Sequence, residues 1–201
     1  MSGGALPPVV LASASPRRHD FLRALGIPFT VRVSSADETL EPGEDPLEAA
    51  ERLARAKAAA VAASSPRESL VIAADTLVVQ DGAALGKPRG REEARAMLRA
   101  LSGRRHEVVT GVALVRHGTV VSGRDVTEVV FAPLDEETIA RYAASGEPDD
   151  KAGAYALQGL AGLFIERIEG SPSNVVGLPV RLLYLLARRL GVDLLDGNRA
   201  V

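Results

Sequence analysis

Apolar positions along the chain change period several times, and each change marks an element. PVVLA, residues 8–12, is a short apolar run that reads as a strand. It delivers the chain into SPRRHDFLRALG, where Ser15 stands as an N-cap, Pro16 as the first helical residue and Gly26 as the stop. Ile27 to Val33 reads as a second strand, followed by the acidic loop SSADETLEPGEDP. Residues 47–63, LEAAERLARAKAAAVAA, place Leu47, Ala50, Leu53, Ala54 and Val61 on or near one helical face. Leu70 to Val79 is an apolar strand run, Asp81-Gly82 a turn, and the segment ending at Lys87-Pro88 the returning strand of a hairpin.

The second half continues the alternation. Residues 91–101 have helical character and close at Ser102-Gly103. Two long β-branched runs follow, His106 to Arg116 and Thr119 to Phe131, hinged at His117-Gly118. A helix from Asp135 to Ser145, the polar segment SGEPDDKAGAYALQGLAG, a strand in LFIERI and a last helix opening near Pro179 complete the pattern, which frays past Asp193. Hairpins among interleaved helices predict α/β structure with a mixed, twisted sheet and flanking helices rather than a purely parallel one. No repeat or linker divides the chain. Residues 1–201 are therefore expected to form one domain, its core spanning about 8–192, with a cleft between two lobes.

Composition narrows the chemistry. Apolar residues make up 46% and aromatics only 3%, so the core is aliphatic. The absence of cysteine excludes disulfides, thiolate zinc sites and a cysteine nucleophile. A net charge of −2 with no long basic run gives no electrostatic footprint for duplex nucleic acid. No stretch approaches the roughly 20 apolar residues of a membrane span. The start, MSGGALPPVV, lacks the basic and apolar regions of a signal peptide, so a cytoplasmic protein without membrane partners is expected.

Arg17 and Arg18 break a local rule. A helix N-terminus carries roughly half a positive charge and favours carboxylates, yet two arginines occupy the first turn. With Ser13 and Ser15 before them, they gather hydroxyls, guanidinium forks and backbone N–H groups on one anion site, a phosphate above all. The competing reading pairs them with acids such as Asp20. No G-x-x-x-x-G-K-[ST] motif occurs, so a nucleotide site here is not a P-loop.

Asp75 lies inside the apolar run VIAADTLVV, where an ionised carboxylate costs several kcal/mol unless it is paired, hydrogen-bonded or metal-bound. It is either a structural residue at a strand end or a functional acid. A hairpin centred on Asp81-Gly82 sets Lys87 nearly opposite Thr76, which collects an acid, a hydroxyl and a base at one end. Lys57, in ARAKAAA, either points inward or snorkels to solvent, and the rarity of buried lysine favours the surface. Asp37 and Glu38 are loop carboxylates of the hard-oxygen kind that holds Mg²⁺ together with phosphate oxygens. DKAGAYALQG, residues 150–159, offers glycines for close backbone approach and, in Gln158, an amide able to read a base edge. The histidines, His19, His106 and His117, have no metal-ligand spacing.

Together the stretches LASASPRR, RLARAKA, AADTLVV, LGKPR, HEVVTGVAL, SGEPDDKAGAYALQG and SNVVGLP resemble the Maf nucleotide pyrophosphatases, in that family's order, across residues 11–179. DKAGAYALQG is similar to the branch acting on dTTP and UTP rather than the branch acting on 7-methyl-GTP. The resemblance implies a mixed α/β fold with a deep cleft, a divalent cation such as Mg²⁺ or Mn²⁺, a homodimer, and hydrolysis of the α–β phosphoanhydride. It implies Asp75 as proton acceptor, and Arg18, Thr76 and Gln158 as setting pyrimidine specificity. Ser13, Arg17, Glu38, Lys57 and Lys87 match positions for triphosphate and metal, with Glu38 and Asp75 as the metal carboxylates; Asp75 is either a tight metal ligand or a free base, not both at once. Pro172 in SPSN departs from the family pattern and puts the local loop shape in question. A nucleotide-binding regulator of septum formation is the competing class; it needs the anion site but no water-activating carboxylate.

Overall fold

The first strand is buried at every position because it has neighbours on both sides. The structure, a computed structural model, describes residues 5–198, so the outer limits of the expected domain at 1 and 201 lie outside the described residues. Strand β1 (Val9–Leu11) leads into helix α1 (Pro16–Ala24) and runs parallel to β2 (Phe29–Val31). The strand expected over Ile27–Val33 is thus cut to its middle. Ile27 turns into the core instead, and β2 is an edge with Val31 exposed. Helix α2 (Pro46–Ala62) then crosses to β3 (Leu70–Gln80), which lies parallel to β1 on its other side.

From β3 onward the sheet turns antiparallel. Asp81 and Gly82 have φ of 52° and 78°, the paired left-handed conformations of a type I′ turn, and join β3 to β4 (Ala83–Leu85). Helix α3 (Arg91–Leu101) leads to β5 (Arg105–Arg116), and His117-Gly118, with φ of 51° and 82°, turns it into β6 (Thr119–Phe131). Helix α4 (Glu136–Ala144), short 3₁₀ turns through residues 147–163, and edge strand β7 (Ile165–Glu169) follow. A short helix α5 (Pro172–Val176) precedes α6 (Val180–Arg189). Pro172 opens α5 at the first helical position behind the Ser171 N-cap, a place where proline costs no hydrogen bond. Of the tail expected to fray past Asp193, the described part makes a 3₁₀ turn at Leu194–Asn198 and buries Leu194, and residues 199–201 lie outside the described residues.

The strand order β2-β1-β3-β5-β6-β7, with β4 paired to β3, is the expected mixed sheet with helices on both faces. On one face Ile72, Ala74, Val112 and Leu114 pack on Leu22 of α1 and on Leu183, Leu186 and Ala187 of α6. On the other, Val71, Ala73 and Ala113 pack on Ala54, Ala58 and Val61 of α2. A separate cluster, with Leu98 and Leu101 of α3, Ile139 and Tyr142 of α4 and Phe131 of β6, covers the far end of the sheet. Each strand therefore presents successive residues to different helices.

Two features of this arrangement open the site. β1 ends at Leu11, its last bond to β3 being Ala12 N–H to Ile72 O at 2.7 Å, while β3 continues to Gln80. A gap forms beside Asp75 and Thr76 at the carboxyl ends of the parallel strands, where α/β sheets hold ligands. Gly111, the register partner of Asp75, lets α2 settle onto β5, because a Cβ there would fall on the carbonyl of Ala50. That close approach brings the α2 face to Asp75.

Candidate active site

The gap is a cleft of about 400 Å³ between the loop Ala12–Ser15, α1, the middle of β3, Lys87 and the segment around 150–157. Arg17, Arg18, Lys57, Lys87 and Lys151 line it against Glu38, Asp75 and Asp150, so a chain of net charge −2 concentrates positive charge here. Ser13, Thr76 and Glu38 also line it; of the residues singled out for the site in the sequence, Gln158 stands outside, and so does Asp37, whose carboxylate accepts from Thr39. Gln158 is exposed, and its neighbour Leu157 forms the wall instead.

Lys57 departs from the surface placement that its rarity in cores favoured. It is 7% exposed, on the same stripe as Ala50, Leu53, Ala54, Ala58 and Val61. Its alanine neighbours leave room, and two carboxylates compensate the charge: Nζ lies 2.6 Å from Asp75 Oδ1 and 2.9 Å from Glu38 Oε2. Asp75 is likewise 7% exposed. Burial raises its pKa above the usual aspartate value, while Lys57 and Arg18 pull it back down.

Arg18 does not pair with an acid. Its Nε donates to Gly177 O at 2.8 Å, Nη1 to Ser13 Oγ at 3.0 Å and Nη2 to Thr76 Oγ1 at 3.0 Å. Burial presses this guanidinium below its ordinary pKa, with the Asp75 charge opposing. Asp20 pairs with Arg23 instead, at 2.9 Å. Among the described residues Arg17 and Lys87 line the cleft without an ion pair or side-chain hydrogen bond. Ser15 occupies the N-cap position of α1 but makes no side-chain cap bond, and the first-turn N–H groups have no partner within the helix. Ser13, Ser15, Arg17 and Arg18, the groups singled out in SPRR and before it, thus all line the cleft.

The cleft has two characters. Asp75 and Lys57 lie on the α2 face of β3, whereas Thr76 and Val78 point to the opposite face. There Val78, Val108, Tyr155, Leu157, Val175 and Val176 make an apolar end. Tyr155 is 5% exposed and its hydroxyl is 2.7 Å from His106 Nε2, so its ring rather than its polar tip serves the wall. Sequence reasoning had named this segment but not Asp150, Lys151 or Tyr155 within it; Asp150 and Lys151 are ion-paired. It also passed over Glu147, whose carboxylate accepts from Tyr142 Oη at 2.9 Å and from the amides of Leu160 at 2.8 Å and Ala161 at 3.3 Å. A Cβ at Gly159 would fall on that carboxylate, which is the signal the glycine carried.

The described residues contain no group of three or more His, Cys, Asp and Glu able to enclose a metal. Glu38 and Asp75 nevertheless converge on one cationic atom, and the Glu38 side chain is 60% exposed and free to turn. Two hard oxygen donors fit a Mg²⁺-type ion whose other positions are taken by phosphate oxygens and water.

Comparison with known proteins covers most of the chain. The family model described as Maf-like protein matches residues 8–190. The chain belongs to the Maf family. Among its relatives in this family, the dTTP/UTP pyrophosphatase of Salinibacter ruber is 50% identical over 196 residues, covering 96% of each chain. The protein of the same name from Anaeromyxobacter dehalogenans (strain 2CP-C) is 50% identical over 192 residues, covering 94% of this chain and 96% of its own. The Desulforamulus reducens protein, also so named, is 49% identical over 189 residues, with 93% and 98% covered. The Maf fold extends to a solved structure: the Staphylococcus aureus Ham1 protein superposes at a TM-score of 0.50 with 16% identity, over 92% of this chain and 98% of that one. No helix among the described residues is long and apolar enough to cross a membrane.

Proposed function

We propose that this Maf protein hydrolyses the α–β phosphoanhydride of dTTP and UTP, giving the nucleoside monophosphate and pyrophosphate. The observation that carries the reading is the buried Asp75 carboxylate, held by Lys57 at 2.6 Å on the wall of a cationic cleft. An anion-binding regulator needs no such group. The activity in the names of relatives at about half identity supports the same reading.

In this mechanism the triphosphate lies along Arg17, Lys57, Lys87 and the α1 N-terminus. Water attacks the α-phosphorus, the bond from that phosphorus to the bridging oxygen breaks, and Asp75 accepts the proton. A carboxylate whose pKa is raised by burial is a better match to this task than an ordinary one. Arg17 and Lys87, which make no ion pair or side-chain hydrogen bond among the described residues, neutralise charge as it collects on the leaving pyrophosphate. Glu38, together with the triphosphate oxygens, would hold Mg²⁺ or Mn²⁺ while Asp75 acts as the base, and such an ion would supply Lewis-acid polarisation of those oxygens. The nucleobase lies at the apolar end, beside Thr76 and Tyr155.

A malachite-green assay coupled to inorganic pyrophosphatase tests this on dTTP, UTP and 7-methyl-GTP. Phosphate release from the first two and little from the third is expected. Release from 7-methyl-GTP alone, or from none, rejects the reading.

A further inference from the structure

Thr110 is fully buried, does not line the cleft, and joins three elements by hydrogen bonds. Its Oγ1 lies 2.9 Å from the backbone carbonyl of Asn174 and 2.9 Å from Thr76 Oγ1. A carbonyl oxygen only accepts, so the single hydroxyl proton of Thr110 is committed to Asn174. Thr110 can therefore only accept from Thr76, and the single Thr76 proton is committed in turn. Arg18 Nη2 then donates to Thr76 Oγ1, taking one of its two lone pairs. The chain of donors runs Arg18 to Thr76 to Thr110 to Asn174 O, and one lone pair of Thr76 is left over.

We infer that Thr110 is a positioning residue that fixes the polarity of Thr76, so that Thr76 offers the nucleoside an acceptor and never a donor. The inference rests on the dTTP/UTP reading and names what that site recognises: a substrate hydrogen-bond donor at the border between the cationic and apolar ends of the cleft. Thymidine has two such groups, the base imide N3–H and the sugar 3′-hydroxyl. Cytosine carries an acceptor at N3 in place of the donor. Polar groups aimed in this way discriminate more strongly than apolar walls, since a mismatched pair leaves a buried group unsatisfied.

The test measures kcat/KM of Thr110→Val against wild type on dTTP, dCTP and 2′,3′-dideoxy-TTP, with thermal unfolding as a check on folding. On dTTP the variant is expected to lose about tenfold, the scale of one aimed hydrogen bond, and Thr110→Ser to restore it. The loss should vanish on the nucleotide that lacks the donor: on dCTP if the partner is N3–H, on the dideoxy nucleotide if it is the sugar hydroxyl. An equal loss on all three, or none on dTTP, overturns the inference. Should Thr110→Val not fold, Thr76→Val removes the acceptor that Thr110 orients, and an equal loss on all three nucleotides, or none on dTTP, then overturns the inference. A wild-type chain that cleaves neither dTTP nor UTP rejects the pyrophosphatase reading, and this inference with it.

Discussion

Lys57 Nζ stands 2.6 Å from Asp75 Oδ1, one group from the buried stripe of α2 and the other from the middle of β3. Neither charge is stable alone at this depth, so each is present because of the other. Asp75→Asn keeps the shape and a hydrogen-bonding oxygen for Lys57 but removes the proton acceptor. The variant is expected to lose about 10²–10⁴-fold in kcat, the scale of general-base catalysis, while isothermal titration still detects nucleotide binding. Turnover near wild type would reject Asp75 as the base.

The same pair sets a pH dependence. Burial holds the Asp75 pKa above the usual aspartate value, and Lys57 is the largest influence in the opposite direction. Catalysis needs the ionised form, so activity is lost as pH falls through the raised pKa. Lys57→Met removes the opposing cation, and the acidic limb of its kcat/KM profile is expected to move to higher pH. A limb that stays in place, or moves to lower pH, contradicts the assignment.

Much of this was legible in the residues. The two turns with positive φ, the mixed sheet, and the grouping of Ser13 with Arg17 and of Thr76 with Lys87 follow from local patterns that tertiary packing did not override, whereas the meeting of the two groups on one cleft was implied only by the family resemblance. Lys57 is the instructive exception: the sequence left it open between pointing inward and snorkelling, the rarity of buried lysine favoured the surface, and the structure puts it on the buried stripe of α2. The compensating carboxylates come from segments distant in sequence, which no local pattern shows. Thr110 and Glu147 were invisible for the same reason, because their partners lie across the fold.

Gly111 was not legible as a packing residue either, since a glycine inside a strand reads first as a weakness. Its missing side chain admits the backbone of α2, and a Cβ would fall on the Ala50 carbonyl. Backbone cannot move aside as a flexible side chain can. Gly111→Ala is expected to cost about 3 kcal/mol or more, lowering Tm by about 10 °C in a calorimetric scan. A shift of less than 2 °C would mean that α2 does not bear on the sheet at this point.

His106 is 3% exposed, packed against Phe131 and Tyr155, and burial lowers its pKa to about 4. Unfolded histidine titrates near 6.5, so between these values the unfolded chain binds the proton and the folded chain does not. The stability this neutral imidazole contributes is present above pH 6.5 and is lost as pH falls towards 4, by about 3 kcal/mol in all. Urea unfolding at pH 7 and pH 4.5 should therefore show a smaller decrease for His106→Gln than for wild type. Equal decreases would place the acid sensitivity elsewhere.

Gln158 sits exposed beside the cleft, on a turn tied down by Glu147 through the amides of Leu160 and Ala161. If Gln158 reads a base edge, the turn must hold it towards substrate, and Glu147 is what holds the turn. Gln158→Ala is expected to change the ratio of kcat/KM between dTTP and 7-methyl-GTP while leaving kcat on dTTP within about threefold, because the phosphate chemistry lies on other residues. Glu147→Gln keeps the size but weakens a charge-assisted bond to two amides, so it should raise KM for dTTP with little change in kcat. Equal losses on all nucleotides in the Gln158 variant would exclude base reading. An unchanged KM in the Glu147 variant would separate the turn from substrate binding.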